Sequence, residues 1–132
     1  GKGFKVEKYI VLPDEREMLR DEMINMADNL GVDLILTTGG TGFSKRDVTP
    51  EATKDVIEKE ALGIPEAIRS YSMTITKRAM LSRATAGIRK DTLIVNMPGS
   101  PKACREVMDY ILDDLKHGID ILKGDARECA RK

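Results

Sequence analysis

Apolar and polar positions divide this chain into short segments of two different periods. From Lys5 to Leu12, the apolar residues Val6, Ile10 and Leu12, with Tyr9 and Val11 adding β propensity, predict a strand that Pro13 ends. Asp14-Glu15-Arg16-Glu17 has the spacing of a capping box, and Leu19, Met23, Met26, Ala27 and Leu30 then form a helical face terminated by Gly31. Leu34-Ile35-Leu36, within Asp33 to Thr38, suits a strand buried on both faces, and the order strand, helix, strand suggests a parallel crossover. Pro50 to Glu60 predicts a helix with Ala52, Val56 and Ile57 inward, broken at Leu62-Gly63-Ile64. Pro65 opens another through Ala67, Ile68, Tyr71 and Met73, and Lys77 to Leu81 suits a short further turn. Ala84 to Arg89 and Thr92 to Met97 predict two strands joined by a tight turn at Lys90-Asp91, an antiparallel pair that makes the sheet mixed. Behind Pro101, Cys104, Val107, Met108, Ile111 and Leu115 form one helical stripe, with a break at His117-Gly118 and a last turn over Ile119 to Leu122.

Two punctuation marks stand between a strand and a helix. In Thr37-Thr38-Gly39-Gly40-Thr41-Gly42, three glycines within four residues let the backbone turn sharply and approach a ligand closely. Thr49-Pro50 then reads as a cap and first-turn pair, leaving Asp47 just ahead of a positive helix end. Pro98-Gly99-Ser100-Pro101 repeats the arrangement, with Ser100 as cap. In open α/β folds ligands bind beyond the carboxyl ends of strands. The Gly39–Gly42 string has neither the Gly-Lys-Ser/Thr of a triphosphatase loop nor a spaced dinucleotide fingerprint, so alone it is equally a tight turn or an anion loop. Two such loops on one sheet edge would frame a crevice lined by backbone N–H groups.

Composition narrows the rest. A chain of 132 residues fits one domain, and 41% hydrophobic content with 4% aromatics and no Trp requires an aliphatic core. Lys+Arg and Asp+Glu both total 22, so no global field draws the chain to nucleic acid or an anionic membrane. Cys104 and Cys129 lack zinc or disulfide spacing and fit reduced thiols of a cytoplasmic protein, one facing the core and one in a charged tail from Lys123 to Lys132. No apolar run approaches the roughly 20 residues that cross a bilayer, and Gly1-Lys2-Gly3-Phe4 has no signal-peptide pattern.

Asp47 could bind a hard cation such as Mg²⁺, cap its own loop or pair with Arg46; Asp14 could join such a metal or cap the helix after it. Two carboxylates at the ends of different strands could meet over one metal, an arrangement suited to phosphoryl or nucleotidyl transfer. Ser82-Arg83 and Arg89-Lys90 are the local groups best suited to face phosphate, and Lys102 sits in a first helical turn where a cation is unfavourable unless an anion is near. His117 and the seven methionines fit structural roles.

At these residues the chain resembles the MogA/MoaB family of molybdopterin-binding proteins, which includes molybdopterin adenylyltransferases and the G domains of gephyrin and plant Cnx-type proteins. The resemblance rests on Leu12-Pro13-Asp14-Glu15, on Thr37 to Gly42 with Arg46 to Thr53, on Leu81-Ser82-Arg83 with Ala86 to Arg89, and on Asn96 to Pro101. Gly87-Ile88-Arg89 and Asn96-Met97-Pro98-Gly99 look more like the adenylyltransferase branch than the MoaB branch. It implies a three-layer α/β sandwich with a mostly parallel mixed sheet, usually trimeric, that transfers AMP from Mg-ATP to the terminal phosphate of molybdopterin and hands the product on for molybdate insertion. By motif, Asp14 and Asp47 would be catalytic and hold Mg²⁺. Thr38, Gly39, Gly40, Thr41 and Gly42 would contact nucleotide or pterin phosphates, Met97, Pro98, Gly99 and Ser100 would line the other wall, and Ser82 and Lys102 would add phosphate contacts. Family members normally begin with a further strand and helix carrying a Thr-Val-Ser-Asp-Arg-like segment. The resemblance therefore implies a single domain over 1–132 that is N-terminally incomplete and impaired in isolation. A carrier or trimeric scaffold of the same fold, or a regulatory nucleotide-binding domain, are the competing readings.

Overall fold

The computed structural model describes residues 3–124. Four strands form one sheet in the order β1 (Leu34–Thr38), β4 (Thr92–Met97), β3 (Ala86–Arg89), β2 (Lys59–Glu60). β1 runs parallel to β4, while β4–β3 and β3–β2 are antiparallel. The sheet is mixed, as expected, although among the described strands antiparallel pairings outnumber the parallel one. All six residues of β4 are buried, because the strand is central and covered on both faces. On one face Met23 and Ala27 of the first helix and Ala52 and Val56 of the second pack on Ile35 and Ile94. On the other, Ile68, Val107, Ile111, Leu115 and Ile119 cover Ala86, Leu93, Val95 and Met97. The alternation of β4 side chains between these two cores makes the expected three layers.

α1 spans Arg16–Ile24 and continues as a π-helical turn over Asn25–Asn29, ended by Gly31 at φ 64°. Leu30, expected on its inner face, is half exposed after that turn. The capping box does not form: Glu15 is the N-cap, without a side-chain bond, and Asp14 is exposed. Instead Arg16 holds Asp55 of the second helix through Nε and Nη2, at 2.7 and 2.8 Å. That hydrogen bond keeps the Asp55 carboxyl below its ordinary range.

Lys5 to Leu12 is not a strand among the described residues. Val6, Tyr9 and Val11 are largely exposed. Local β propensity favours a strand only where a neighbouring ladder accepts it, and no described segment pairs with this one. The parallel pairing of β1 is therefore with β4, not with the preceding segment. β1 is also less buried than its apolar run predicts: Leu36 is 39% exposed because the strand lies at an edge of the described sheet.

α2 covers Thr49–Val56, shorter than predicted, since Ile57 turns to extended backbone and leads into β2. α3 runs over Gly63–Met73, followed by a 3₁₀ turn at Lys77–Leu81. The β3–β4 hairpin forms where expected, with Lys90 at φ 51°. α4 is continuous from Pro101 to Leu122, so His117-Gly118 does not interrupt it. A helical glycine costs about 1 kcal/mol relative to alanine, which burial of Leu115 and Ile119 on either side offsets. Cys129 and the tail from residue 125 lie outside the described residues. No helix among those described is long and apolar enough to cross a membrane.

Candidate active site

Parallel pairing brings the two punctuation loops together. Thr38 stands opposite Met97 in the β1–β4 register, so both loops leave the sheet side by side at the carboxyl ends of adjacent strands. Gly39 N–H donates to the Met97 carbonyl at 3.4 Å. Gly39 and Gly40 have φ of 82° and 69°, the left-handed region where a side chain is strained. A Cβ on Gly40 would also collide with the Thr49 hydroxyl.

The loop returns to α2 through Thr49, whose N–H donates to the Gly40 carbonyl at 3.1 Å. Thr49 is inside the helix and buried, and Val48 is the N-cap without a side-chain bond, so the predicted Thr49 cap is absent. The Asp47 carboxylate accepts the Ser44 N–H at 3.0 Å through Oδ2 and so closes the turn just ahead of the helix. Across the crevice Ser100 caps α4 as predicted, accepting the Ala103 N–H at 3.4 Å. Gly99 and Lys102 are exposed, and Pro98 is partly so.

Four expected groups are engaged within the protein. The Met97 side chain is fully buried in the core beneath α4, so it does not line the second wall; only its carbonyl reaches the glycine loop. Arg89 forms a fork with Asp28 at 3.0 and 2.9 Å and donates to the Val56 carbonyl at 2.9 Å, tying β3 to α1 and α2 rather than facing phosphate. The Ser82 hydroxyl accepts the Ala84 N–H at 3.2 Å. Arg83 donates to the Gly42 and Asp47 carbonyls at 2.8 and 2.7 Å and to Glu51 at 2.6 Å, and this bond lowers the Glu51 pKa.

Asn96 is an anchor that pattern reading overlooked as a site residue. Fully buried near the end of β4, its amide donates to the Thr37 and Thr53 hydroxyls, each at 2.9 Å, and its carbonyl accepts the Thr85 N–H at 3.0 Å. One side chain thus joins β1, α2 and the approach to β3 directly behind the glycine loop. Its only sequence signal was its place just before Met97-Pro98-Gly99.

A cavity of about 550 Å³ lies away from these loops, between α3, α4 and the sheet. Ile64, Ile88, Tyr110 and Leu115 make it apolar, with Asp114 at its wall. Its lining carries no cationic side chain for an anion. Among the described residues no group of three or more His, Cys, Asp or Glu gathers.

The family model described as "Probable molybdopterin binding domain" matches residues 1–117. The chain belongs to that family. Within it, the chain is 40% identical to the molybdopterin adenylyltransferase of Helicobacter pylori strain J99 over 124 residues, covering 94% of this chain and 70% of that protein. It is 39% identical to the Escherichia coli K12 molybdopterin adenylyltransferase, covering 88% and 61%, and 48% identical to Dictyostelium discoideum gephyrin, covering 86% and 16%. Among solved structures, the molybdopterin biosynthesis enzyme MoaB of Thermus thermophilus superposes with a TM-score of 0.85 at 44% identity, over 92% of this chain and 76% of that one. The molybdopterin-binding fold is thus shared with both MoaB and MogA structures, the latter at a TM-score of 0.84.

Proposed function

We propose that this molybdopterin-binding chain acts in molybdenum cofactor biosynthesis as an adenylyltransferase, moving AMP from Mg-ATP to the terminal phosphate of molybdopterin. The observation that carries the reading is the meeting of Gly39 and Gly99 at the carboxyl ends of the parallel β1–β4 pair, in a chain 40% identical to an adenylyltransferase. A phosphate oxygen of molybdopterin attacks the α-phosphorus of ATP, the bond to the β-phosphate bridging oxygen breaks, and pyrophosphate leaves. The nucleophile belongs to the substrate, so the protein's task is alignment and charge compensation. Thr38, Gly39, Gly40, Thr41 and Gly42 form one wall for the phosphates, and Pro98, Gly99 and Ser100 the other, with Ser82 and Lys102 at the margins. Asp47 and, from the segment before α1, Asp14 would act on the reacting phosphates through the Mg²⁺ that accompanies ATP.

The donor set suits a Mg²⁺ ion that arrives with ATP, because Asp47 uses Oδ2 on the Ser44 N–H and retains a second oxygen. One or two carboxylates completed by substrate phosphates and water are a usual magnesium environment. Bound there, Mg²⁺ would neutralise phosphate charge.

Incubating the protein with molybdopterin and Mg-ATP and measuring adenylyl-molybdopterin and pyrophosphate tests the assignment; absence of both products rejects it. The gephyrin similarity favours a second reading, a molybdopterin carrier or trimeric scaffold, which predicts pterin binding without turnover. Trimer formation and transfer of product to a molybdate-inserting protein belong to the first reading, and sedimentation velocity tests the trimer.

A further inference from the structure

We propose that Arg83 is a positioning residue of this site, fixing the glycine loop so that the N–H groups of Gly42, Phe43 and Val48 face a phosphate chain. The identity of that chain rests on the adenylyl-transfer reading; the geometry does not. The backbone N–H of Arg83 donates to the Thr41 carbonyl at 2.7 Å, Nε to the Gly42 carbonyl at 2.8 Å, and Nη2 to the Asp47 carbonyl at 2.7 Å. In a planar trans peptide the carbonyl and the following N–H point in opposite directions, and no described peptide is cis. Three carbonyls drawn to Arg83 therefore turn the next three N–H groups, those of Gly42, Phe43 and Val48, away from it. Among the described residues these N–H groups make no hydrogen bond.

The guanidinium is itself held. Nη1 meets Glu51 in the first turn of α2 at 2.6 Å, and Arg69 fixes the Ser82 and Ala84 carbonyls on either side at 3.2 and 2.8 Å. Glu51 directs the fork, and the fork directs the loop. A lysine at position 83 could reach one of these acceptors but not span two carbonyls and a carboxylate at once. A residue that only supported the fold would leave ligand affinity unchanged when substituted without unfolding, and this is what separates the two roles.

The test uses ¹⁵N-labelled chain titrated with inorganic pyrophosphate, following the amide resonances of Gly42, Phe43 and Val48, beside steady-state kinetics with Mg-ATP. In the unsubstituted protein those three amides shift saturably. In Arg83→Lys, with its circular dichroism spectrum retained, pyrophosphate affinity falls at least tenfold and KM for Mg-ATP rises more than kcat falls. If Arg83→Lys does not fold, Glu51→Gln takes its place, and a loss of two- to fivefold is expected as the fork loses its charged partner. Amides unmoved by pyrophosphate, or a folded variant that binds as tightly as the parent, overturn the proposal. Pyrophosphate binding at these amides without adenylyl transfer would sink the enzymatic reading and leave the role of Arg83 standing. Adenylyl transfer undiminished in Arg83→Lys would do the reverse.

Discussion

A Cβ on Gly99 would stand 3.2 Å from the Cα of Gly39 and 3.6 Å from its nitrogen, so the two loops touch backbone to backbone. Fifty-nine intervening residues of sheet and helix exist, in effect, to bring these two glycines into register, since Thr38 and Met97 just before the loops are partners across β1 and β4. Gly99→Ala pushes against main chain, which cannot rotate away as a side chain can. The expected result is a modest loss of stability, about 1 kcal/mol, with a larger loss of molybdopterin and nucleotide binding, measured by thermal unfolding and by ligand titration. A variant that binds normally would mean that the loops need not touch.

Asn96 provides the second prediction. Asn96→Ala removes three bonds from a fully buried point, leaving the Thr85 N–H without a partner and the Thr53 hydroxyl with only the Met23 sulfur. Buried groups left without partners make this cost roughly 3 kcal/mol. Denaturant unfolding should show the drop, and Asn96→Asp should not restore the parent stability, because it buries a charge and both threonine hydroxyls would have to reverse to donate to it.

These two residues show what pattern reading could and could not reach. The loops were legible because Gly39, Gly40, Gly42, Pro98, Gly99 and Pro101 are local punctuation, and the Thr92–Met97 strand because its apolar run is continuous. Arg83 and Arg89 were not, since an arginine shows its role only through its partners, and Glu51 and Asp28 lie far away in sequence. Met97 misled for the opposite reason: it adjoins the loop in sequence, yet strand alternation sends its side chain into the core. Lys5 to Leu12 misled because propensity says nothing about a pairing partner.

Gly118 gives a prediction of opposite sign. It lies inside α4 without positive φ, and a Cβ there meets nothing within 4 Å. Gly118→Ala should stabilise the chain by about 1 kcal/mol through the entropy of the unfolded state. A melting temperature that falls instead would mean that the open space beside Gly118, which borders the apolar cavity, is filled by something the alanine displaces.

Acid should weaken the fold through its paired carboxylates. Hydrogen bonds from Arg89, Arg83 and Arg16 hold Asp28, Glu51 and Asp55 below their ordinary pKa values. Folded values below unfolded ones mean stabilisation that is complete above the unfolded range, about pH 4, and is lost as pH falls through the lower folded values. Asp28→Asn should therefore be less stable than the parent at pH 7, with the gap closing as pH drops below about 4. Denaturant midpoints across that range measure it; a gap independent of pH would show that the Asp28–Arg89 charge pairing contributes nothing beyond its shape.

Asp47 carries two jobs that one substitution can separate. Its Oδ2 accepts the Ser44 N–H and shapes the turn before α2, while its charge lies just ahead of that helix and next to the proposed phosphates. Asp47→Asn keeps an acceptor for Ser44 and removes the charge. If the carboxylate acts on the reacting phosphates, adenylyl transfer should fall on the order of 100-fold or more with the melting temperature near that of the parent. Asp47→Ala should lose activity and loop order together, visible as altered amide resonances from Gly42 to Val48. Full activity in Asp47→Asn would reduce Asp47 to a loop cap and remove it from the proposed magnesium donors.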